Sequence, residues 1–199
     1  MASTPPGQRK LQILQALASM LEQPKGEKIT TAALAAKLSV SEAALYRHFA
    51  SKAQMYEGLI EFIESTVFGL INQITGQHDN GLLQARDILG MLLNFASSNP
   101  GMTRVLIGDA LVNEDERLQL RMNQFYDRVE LALKQSLRVA AAEAAAEQTA
   151  NGHDQSADVG ARAGMLVSFV VGRWHRYAKS GFKHHPAQDA ATQIAVLLA

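Results

Sequence analysis

Cysteine is absent from the 199-residue chain. That excludes disulfides, a cysteine nucleophile and thiolate metal sites, and leaves any metal chemistry to histidine and carboxylates. Prolines number only 5 and aromatic residues make up 6%, which favours helices packed through leucine, alanine, isoleucine and methionine over a sheet. No apolar run reaches the roughly 18 residues of a membrane span, and the opening "MASTPPGQRK" lacks the apolar core of a signal peptide. A soluble, cytoplasmic, all-α protein is expected, with no metal and no cofactor. Net charge is also missing, since 19 basic residues balance 19 acidic ones. The balance is uneven along the chain: residues 1–52 hold seven basic groups against three acidic, and the remainder twelve against sixteen. A small basic head on an acidic body is a candidate phosphate-facing surface.

What is present is helical periodicity. Residues 1–7, with Pro5, Pro6 and Gly7, read as a disordered arm. From Gln8 the positions Leu11, Leu14, Leu17, Ala18 and Leu21 recur at helical spacing, and Pro24 and Gly26 end that helix. A long helix is expected from Ser51, with Met55, Leu59, Ile60, Phe62, Ile63, Val67, Leu70, Ile71 and Ile74 as its apolar positions. Another spans about 82–98. Asn99 is placed to cap a further helix with Pro100 at its first position. From near Asn113 the stripe Leu118, Met122, Phe125, Val129, Leu133 and Leu137 is nearly heptad-like, as in a coiled coil. After Glu147 the chain dissolves into polar residues, a candidate mobile loop over 148–157. The last two helices are expected over 158–180 and 186–198. Gly164, Met165, Ser168, Phe169, Gly172 and Trp174 mix small with bulky residues, and Met165–Val171 is apolar on nearly all sides. A partner chain covering one face, as in a homodimer, is the expected reason.

The stretch "ITTAALAAKLSVSEAALYRHFASK", Ile29 to Lys52, carries an internal echo at a spacing of 11. Ile29, Thr30, Leu34 and Leu38 are matched by Val40, Ser41, Leu45 and Phe49. In each copy a hydroxyl residue is placed to cap a helix, and the apolar residue before it can close over the one inside the first turn. So short a connection, Ser39 to Ser41, forces the two helices to cross. With Leu45 set at zero, Phe49 lies about 40° round the helix, Tyr46 near 100°, and Ala43 and Arg47 near 180°. The outward face is therefore small residues, an arginine and a tyrosine, with Ser41 at its capped end. Small residues let the backbone approach closely, Arg47 can reach a phosphate or a guanine edge, and Tyr46 can hydrogen-bond a phosphate. Thr30 and Thr31 open the preceding helix, whose free N–H groups attract phosphate. Lys52 opens the next helix and can hold a second phosphate. These are the parts of a helix-turn-helix, whose second short helix enters the major groove of double-stranded DNA.

The order of a first helix, the pair "ITTAALAAKL" and "SEAALYRHFASK", and a long following helix resembles the TetR family of regulators. The resemblance implies an all-α, TetR-like fold of about nine helices. It implies an N-terminal three-helix head, 8–52, that binds DNA through the helix-turn-helix, and a larger helical regulatory and dimerisation body, 53–199. Thr30, Thr31, Ser41, Ala43, Tyr46, Arg47, His48 and Lys52 match the DNA-facing positions of the motif. The phrases "SEAALYRHFASK", "LIEFIE", "NPGMTRVLIGDAL", "DERLQLRMNQFYDRVE" and "FKHHP" resemble a member of the family that acts in nucleoid occlusion, binding DNA and inhibiting the division protein FtsZ; a palindromic site is expected because a two-fold dimer would place its heads in successive major grooves. That resemblance spans nearly the whole chain. It implies FtsZ contacts at Phe62, Asn99 and Pro100. Three positions depart from the pattern: Ser39 replaces a common turn glycine, and Leu70 and Ser98 stand where arginines would pair with an acidic tail.

A second reading is a ligand-responsive repressor, whose apolar pocket would use Met91, Phe95, Met102, Met122, Phe125, Tyr126 and Phe169. Methionines and aromatics at this spacing also serve a core. A third, an enzyme, would use His184 and His185 for a metal, or Ser168, His175 and Asp158 as a triad. No nucleophile elbow or zinc-helix motif supports either, and the chain is not expected to be an enzyme.

Overall fold

A computed structural model of the chain describes residues 6–23, 29–147 and 156–199. Among these it is wholly helical: α1 Pro6–Leu21, α2 Thr31–Lys37, α3 Glu42–Tyr46, α4 Lys52–Gln77, α5 Gly81–Ser98, α6 Pro100–Leu106, a 3-10 turn Asp109–Leu111, α7 Glu116–Glu147, α8 Ser156–Lys179 and α9 Ala190–Leu198. Nine α-helices among the described residues match the all-α expectation. The arm expected over 1–7 lies outside the described residues as far as residue 5, and Pro6 already begins α1. Likewise 148–155 lie outside them, while residues 156 and 157, expected in the loop, belong to α8.

Two compact units emerge, Met1–Glu64 with Asn99–Met122, and Ser65–Ser98 with Asn123–Ala199. The first therefore takes in the first half of α4, α6 and the start of α7 along with the three short N-terminal helices. In α1 the buried residues are Ile13, Ala16, Leu17, Ala18 and Leu21, whereas Leu11, expected on the apolar stripe, is exposed. Gly101 in α6 is packed so tightly on α1 that a Cβ there would sit 2.0 Å from the Ala18 carbonyl oxygen. Only glycine fits that approach. α4 and the start of α7 are tied by Arg121, which donates to both oxygens of Glu64 at 3.1 and 2.6 Å and to the Glu57 carbonyl at 3.4 Å. The hydrogen bond to Glu64 raises the guanidinium's proton affinity further.

In the second unit α5 packs on α8 and α9. The Trp174 indole N–H donates to the Leu92 carbonyl at 3.1 Å and the Tyr177 hydroxyl to the Ser97 carbonyl at 3.2 Å. Phe125 meets Phe68 edge-on at 5.4 Å, and the Arg128 guanidinium stacks on the other aromatic of that pair, Phe68, at 3.7 Å. α9 starts at Ala190, four residues later than the Pro186 expected from sequence. The reason is the left-handed Asp189, at φ 55°, and the Arg173 guanidinium, which holds the intervening loop by donating to the Pro186 and Gln188 carbonyls. α7 likewise begins at Glu116, because Asn113 adopts φ 62° and Asp115 supplies the first turn's acceptors.

The turn between α2 and α3 keeps a left-handed residue at Ser39, φ 54°. Its N–H and that of Val40 close the end of α2 on the Ala36 and Ala35 carbonyls, both at 3.0 Å. A serine in this conformation costs about 1–2 kcal/mol relative to glycine's ease there, offset in part by the chain entropy that glycine loses. Ser39→Gly is expected to stabilise the chain by about 1 kcal/mol, seen as a raised denaturant midpoint with an unchanged slope.

Candidate nucleic-acid interface

Both short helices are capped as the echo predicts. The Thr30 hydroxyl accepts the Ala33 N–H at 3.1 Å and the Ser41 hydroxyl accepts the Ala44 N–H at 3.3 Å. Ile29, Leu34, Leu45 and Phe49 are buried, so the stripe shared by the two copies is the inward one. The 11-residue spacing has a second consequence: it sets Thr31, first in α2, opposite Glu42, first in α3. The Thr31 hydroxyl donates to the Glu42 carboxylate at 2.6 Å, and the Tyr46 hydroxyl reaches Thr31 Oγ1 at 3.5 Å. Glu42, which the sequence motif passes over, thus braces the crossing of the two helices, and its signal was its place immediately after the cap.

The outward edge of α3 is thereby fixed from three sides. Ser41, Ala43, Tyr46 and Arg47 are exposed and His48 is half-buried. Tyr46 retains 44% of its surface. The Arg47 side chain has no hydrogen-bond or ion-pair partner among the described residues, which leaves its guanidinium in solvent at the C-terminal end of the helix. On α1, Lys10 stacks over the Phe49 ring at 5.6 Å.

Lys52 behaves differently from the other DNA-facing candidates. Its ammonium lies 2.5 Å from Glu114 and over the Tyr56 ring at 5.7 Å. The Tyr56 hydroxyl is held well above its ordinary range, first by burial and second by the Glu114 charge.

The positions matched to FtsZ contact fall in the same compact unit as the head. Phe62 is 40% exposed on α4. Pro100 occupies the first turn of α6, as expected, but Asn99 makes no side-chain cap. Its carbonyl instead accepts both the N–H and the hydroxyl of Thr103, at 2.9 and 3.0 Å. Ser98 is exposed and Leu70 half-buried in the other unit.

Along α8, Val159, Ala163, Leu166, Val170, Trp174 and Tyr177 form one buried stripe. Trp174 therefore leaves the set expected at a dimer face, because its indole is spent on the Leu92 carbonyl inside the second unit. Met165, at 60% exposure, Ser168 and Gly172 are on the outside, with Gly164 and Phe169 partly covered. The helix is thus amphipathic and not apolar all round.

The enzyme constellations dissolve. Ser168 donates its proton to the Gly164 carbonyl at 2.8 Å, and Asp158, ten residues earlier, lies roughly 15 Å along the same helix. The His184 N–H donates to the Ser180 hydroxyl at 2.9 Å while the His185 ring bonds the Ser97 hydroxyl. Among the described residues no cluster of histidines and carboxylates could hold a metal. The residues of the expected ligand pocket are divided between the two units, with Met102 and Met122 in the first and Met91, Phe95, Phe125, Tyr126 and Phe169 in the second. Met122 and Phe125 are wholly buried, and burial pushes the Tyr126 hydroxyl up to about 12. No helix of the described residues is long and apolar enough to cross a membrane.

Comparison with known proteins speaks for the family and the fold. Residues 13–59 match the family described as bacterial regulatory proteins, tetR family, and residues 79–199 match the tetracyclin repressor-like C-terminal domain of the SlmA-like type. The nucleoid occlusion factor SlmA of Alteromonas mediterranea is 46% identical over 94% of this chain and 92% of its own. That of Colwellia psychrerythraea is 45% identical over 96% and 93%. Among solved structures, a TetR transcription regulator from Haloarcula marismortui superposes with a TM-score of 0.74 over 96% of this chain and 97% of that one, at 15% identity. The regulator FadR from Bacillus subtilis, solved in complex with stearoyl-CoA, gives 0.68 over 95% and 97% at 11% identity. At such identities these two speak for the fold alone.

Proposed function

Because the chain belongs to the TetR family of DNA-binding regulators, and within it to the SlmA group of nucleoid occlusion factors, we propose that its dimer reads palindromic sites across the chromosome and blocks FtsZ assembly there. The observation that carries the reading is the outward edge of α3, where Ala43, Tyr46 and Arg47 are exposed on a helix capped by Ser41 and braced by the Thr31–Glu42 hydrogen bond.

The steps follow from that edge. Residues 8–52 act as the DNA-binding head and 53–199 as the dimerisation and regulatory body. Ala43 leaves room for the helix backbone to approach the groove floor, and Arg47 supplies the strong contact to a phosphate or guanine edge. Thr30, Ser41 and His48 border the same edge and fix its register on the DNA backbone, while Thr31, bonded to Glu42, holds the shape of that edge. A two-fold dimer sets two such edges in successive major grooves, roughly 34 Å apart, which requires a palindrome. The second copy is seated on the exposed side of α8, at Gly164, Met165, Ser168, Phe169 and Gly172. The FtsZ-contacting surface is built on Phe62, Asn99 and Pro100, and the protein acts in the cytoplasm on the nucleoid. The family makes the chain a regulator and not an enzyme. A ligand-responsive repressor would need a pocket, and Met122 and Phe125, two of its proposed lining residues, have no exposed surface.

Genome-wide mapping of bound sites tests the reading. Palindromes scattered over the chromosome support nucleoid occlusion, and binding confined to one or two promoters overturns it in favour of a repressor. Arg47→Ala is expected to weaken binding to such a palindrome by at least tenfold at low salt and to lower the slope of log affinity against log salt by about 0.9 if a phosphate contact is lost. Fluorescence anisotropy across a salt series measures both. Phe62→Ala is expected to leave DNA affinity intact while abolishing the DNA-dependent loss of FtsZ polymer from the pellet on sedimentation. Met165→Glu is expected to convert the dimer to a monomer, by burying a charge at the centre of the face, and analytical ultracentrifugation reads that outcome.

A further inference from the structure

The head's expected second phosphate ligand, Lys52, is already occupied. Its ammonium sits 2.5 Å from the Glu114 carboxylate, and the two side chains keep only 20% and 10% of their surface. The Tyr56 ring lies under the ammonium at 5.7 Å. Such a pair presents almost no net charge to an approaching phosphate, and the carboxylate adds a repulsion that the cation must outweigh.

Glu114 reaches that place through its own turn and not by chance of a flexible side chain. The segment between α6 and α7 contains two left-handed residues, Gly108 at φ 76° and Asn113 at φ 62°. Asparagine is among the few residues that adopt this conformation readily. The Leu111 N–H closes on the Gly108 carbonyl and the Glu114 N–H on the Leu111 carbonyl, each at 3.0 Å, with Leu111 buried as the anchor. The backbone beneath the carboxylate is thus fixed before Lys52 meets it. Asp115, one residue on, is committed to Arg117 at 2.8–3.0 Å, so it does not share the load.

We infer that Glu114 is a positioning residue for DNA binding: it holds Lys52 away from the phosphate backbone and so withholds that contact from DNA. This rests on the DNA-binding reading above and deepens it. It makes DNA affinity depend on a turn that lies outside the helix-turn-helix, in the stretch that follows the Asn99–Leu106 segment in the same compact unit.

The test is a double-mutant cycle on the full chain with a palindromic duplex, read by anisotropy over a salt series. Glu114→Gln keeps the shape and a hydrogen-bond acceptor while removing the charge. It is expected to tighten binding about three- to tenfold at low salt and to steepen the slope of log affinity against log salt by about 0.9, the signature of one more phosphate neutralised. In a Lys52→Gln background the same substitution is expected to change neither. Equal or weaker binding by Glu114→Gln with an unchanged slope, from protein whose melting shows it folded, overturns the inference. So does a tightening that persists without Lys52, which would mean only a general change of charge. Should Arg47→Ala bind as tightly as the parent chain in the same series, the DNA-binding edge itself has been misassigned; loss with Arg47→Ala but no gain with Glu114→Gln refutes the role of Glu114 alone.

Discussion

A five-residue helix has no stability of its own, since its nucleation cost is spread over too few hydrogen bonds. α3 exists because its two ends are fixed from outside: the left-handed turn at Ser39 delivers the chain, Ser41 caps the first turn, and Leu45 and Phe49 anchor it in the core. Everything proposed for the exposed edge depends on that constraint. If the turn opened, Ala43, Tyr46 and Arg47 would no longer share one direction, and Thr31 would lose the Glu42 carboxylate that braces the crossing.

The Thr31–Glu42 hydrogen bond also changes how the edge should be understood. Thr31 and Tyr46 are not independent donors waiting for phosphate, because one hydroxyl is committed to a carboxylate and the other leans on the first. They hold the shape of the edge, and Arg47 is left as the side chain with charge to offer. Lys52, neutralised by Glu114, belongs with the structural group.

Local features of the head were legible because they depend on residues close in sequence. The two caps and the buried partners Ile29, Leu34, Leu45 and Phe49 follow from patterns a few residues long, whereas the left-handed Ser39 was implied by the turn glycine common in the family. What escaped was contact between distant segments. Glu114 lies 62 residues from Lys52, and nothing in either neighbourhood announces the pair. Trp174 suited an exposed interface by composition, but a carbonyl on α5 satisfies its indole and turns it inward. Leu11 fits the helical stripe of α1 and still faces solvent, since periodicity locates a face without saying how far a core extends along it. Asn99 had the residue type of a cap, yet with its backbone at φ −133° and ψ 67° its side chain makes no capping hydrogen bond.

Gly101 carries a consequence for genetics. Its α-carbon lies against the backbone of α1, and any side chain there would collide with the Ala18 carbonyl. The segment Asn99–Pro100–Gly101 is therefore at once a surface proposed to meet a protein partner and part of the packing that supports the head. Alleles isolated there for failure to restrain division will fall into two kinds that look alike in a colony. Some will have lost the partner, and others will have loosened α1 in the unit that carries the proposed DNA-binding edge. Only those that still occupy their chromosomal sites identify residues of the partner surface.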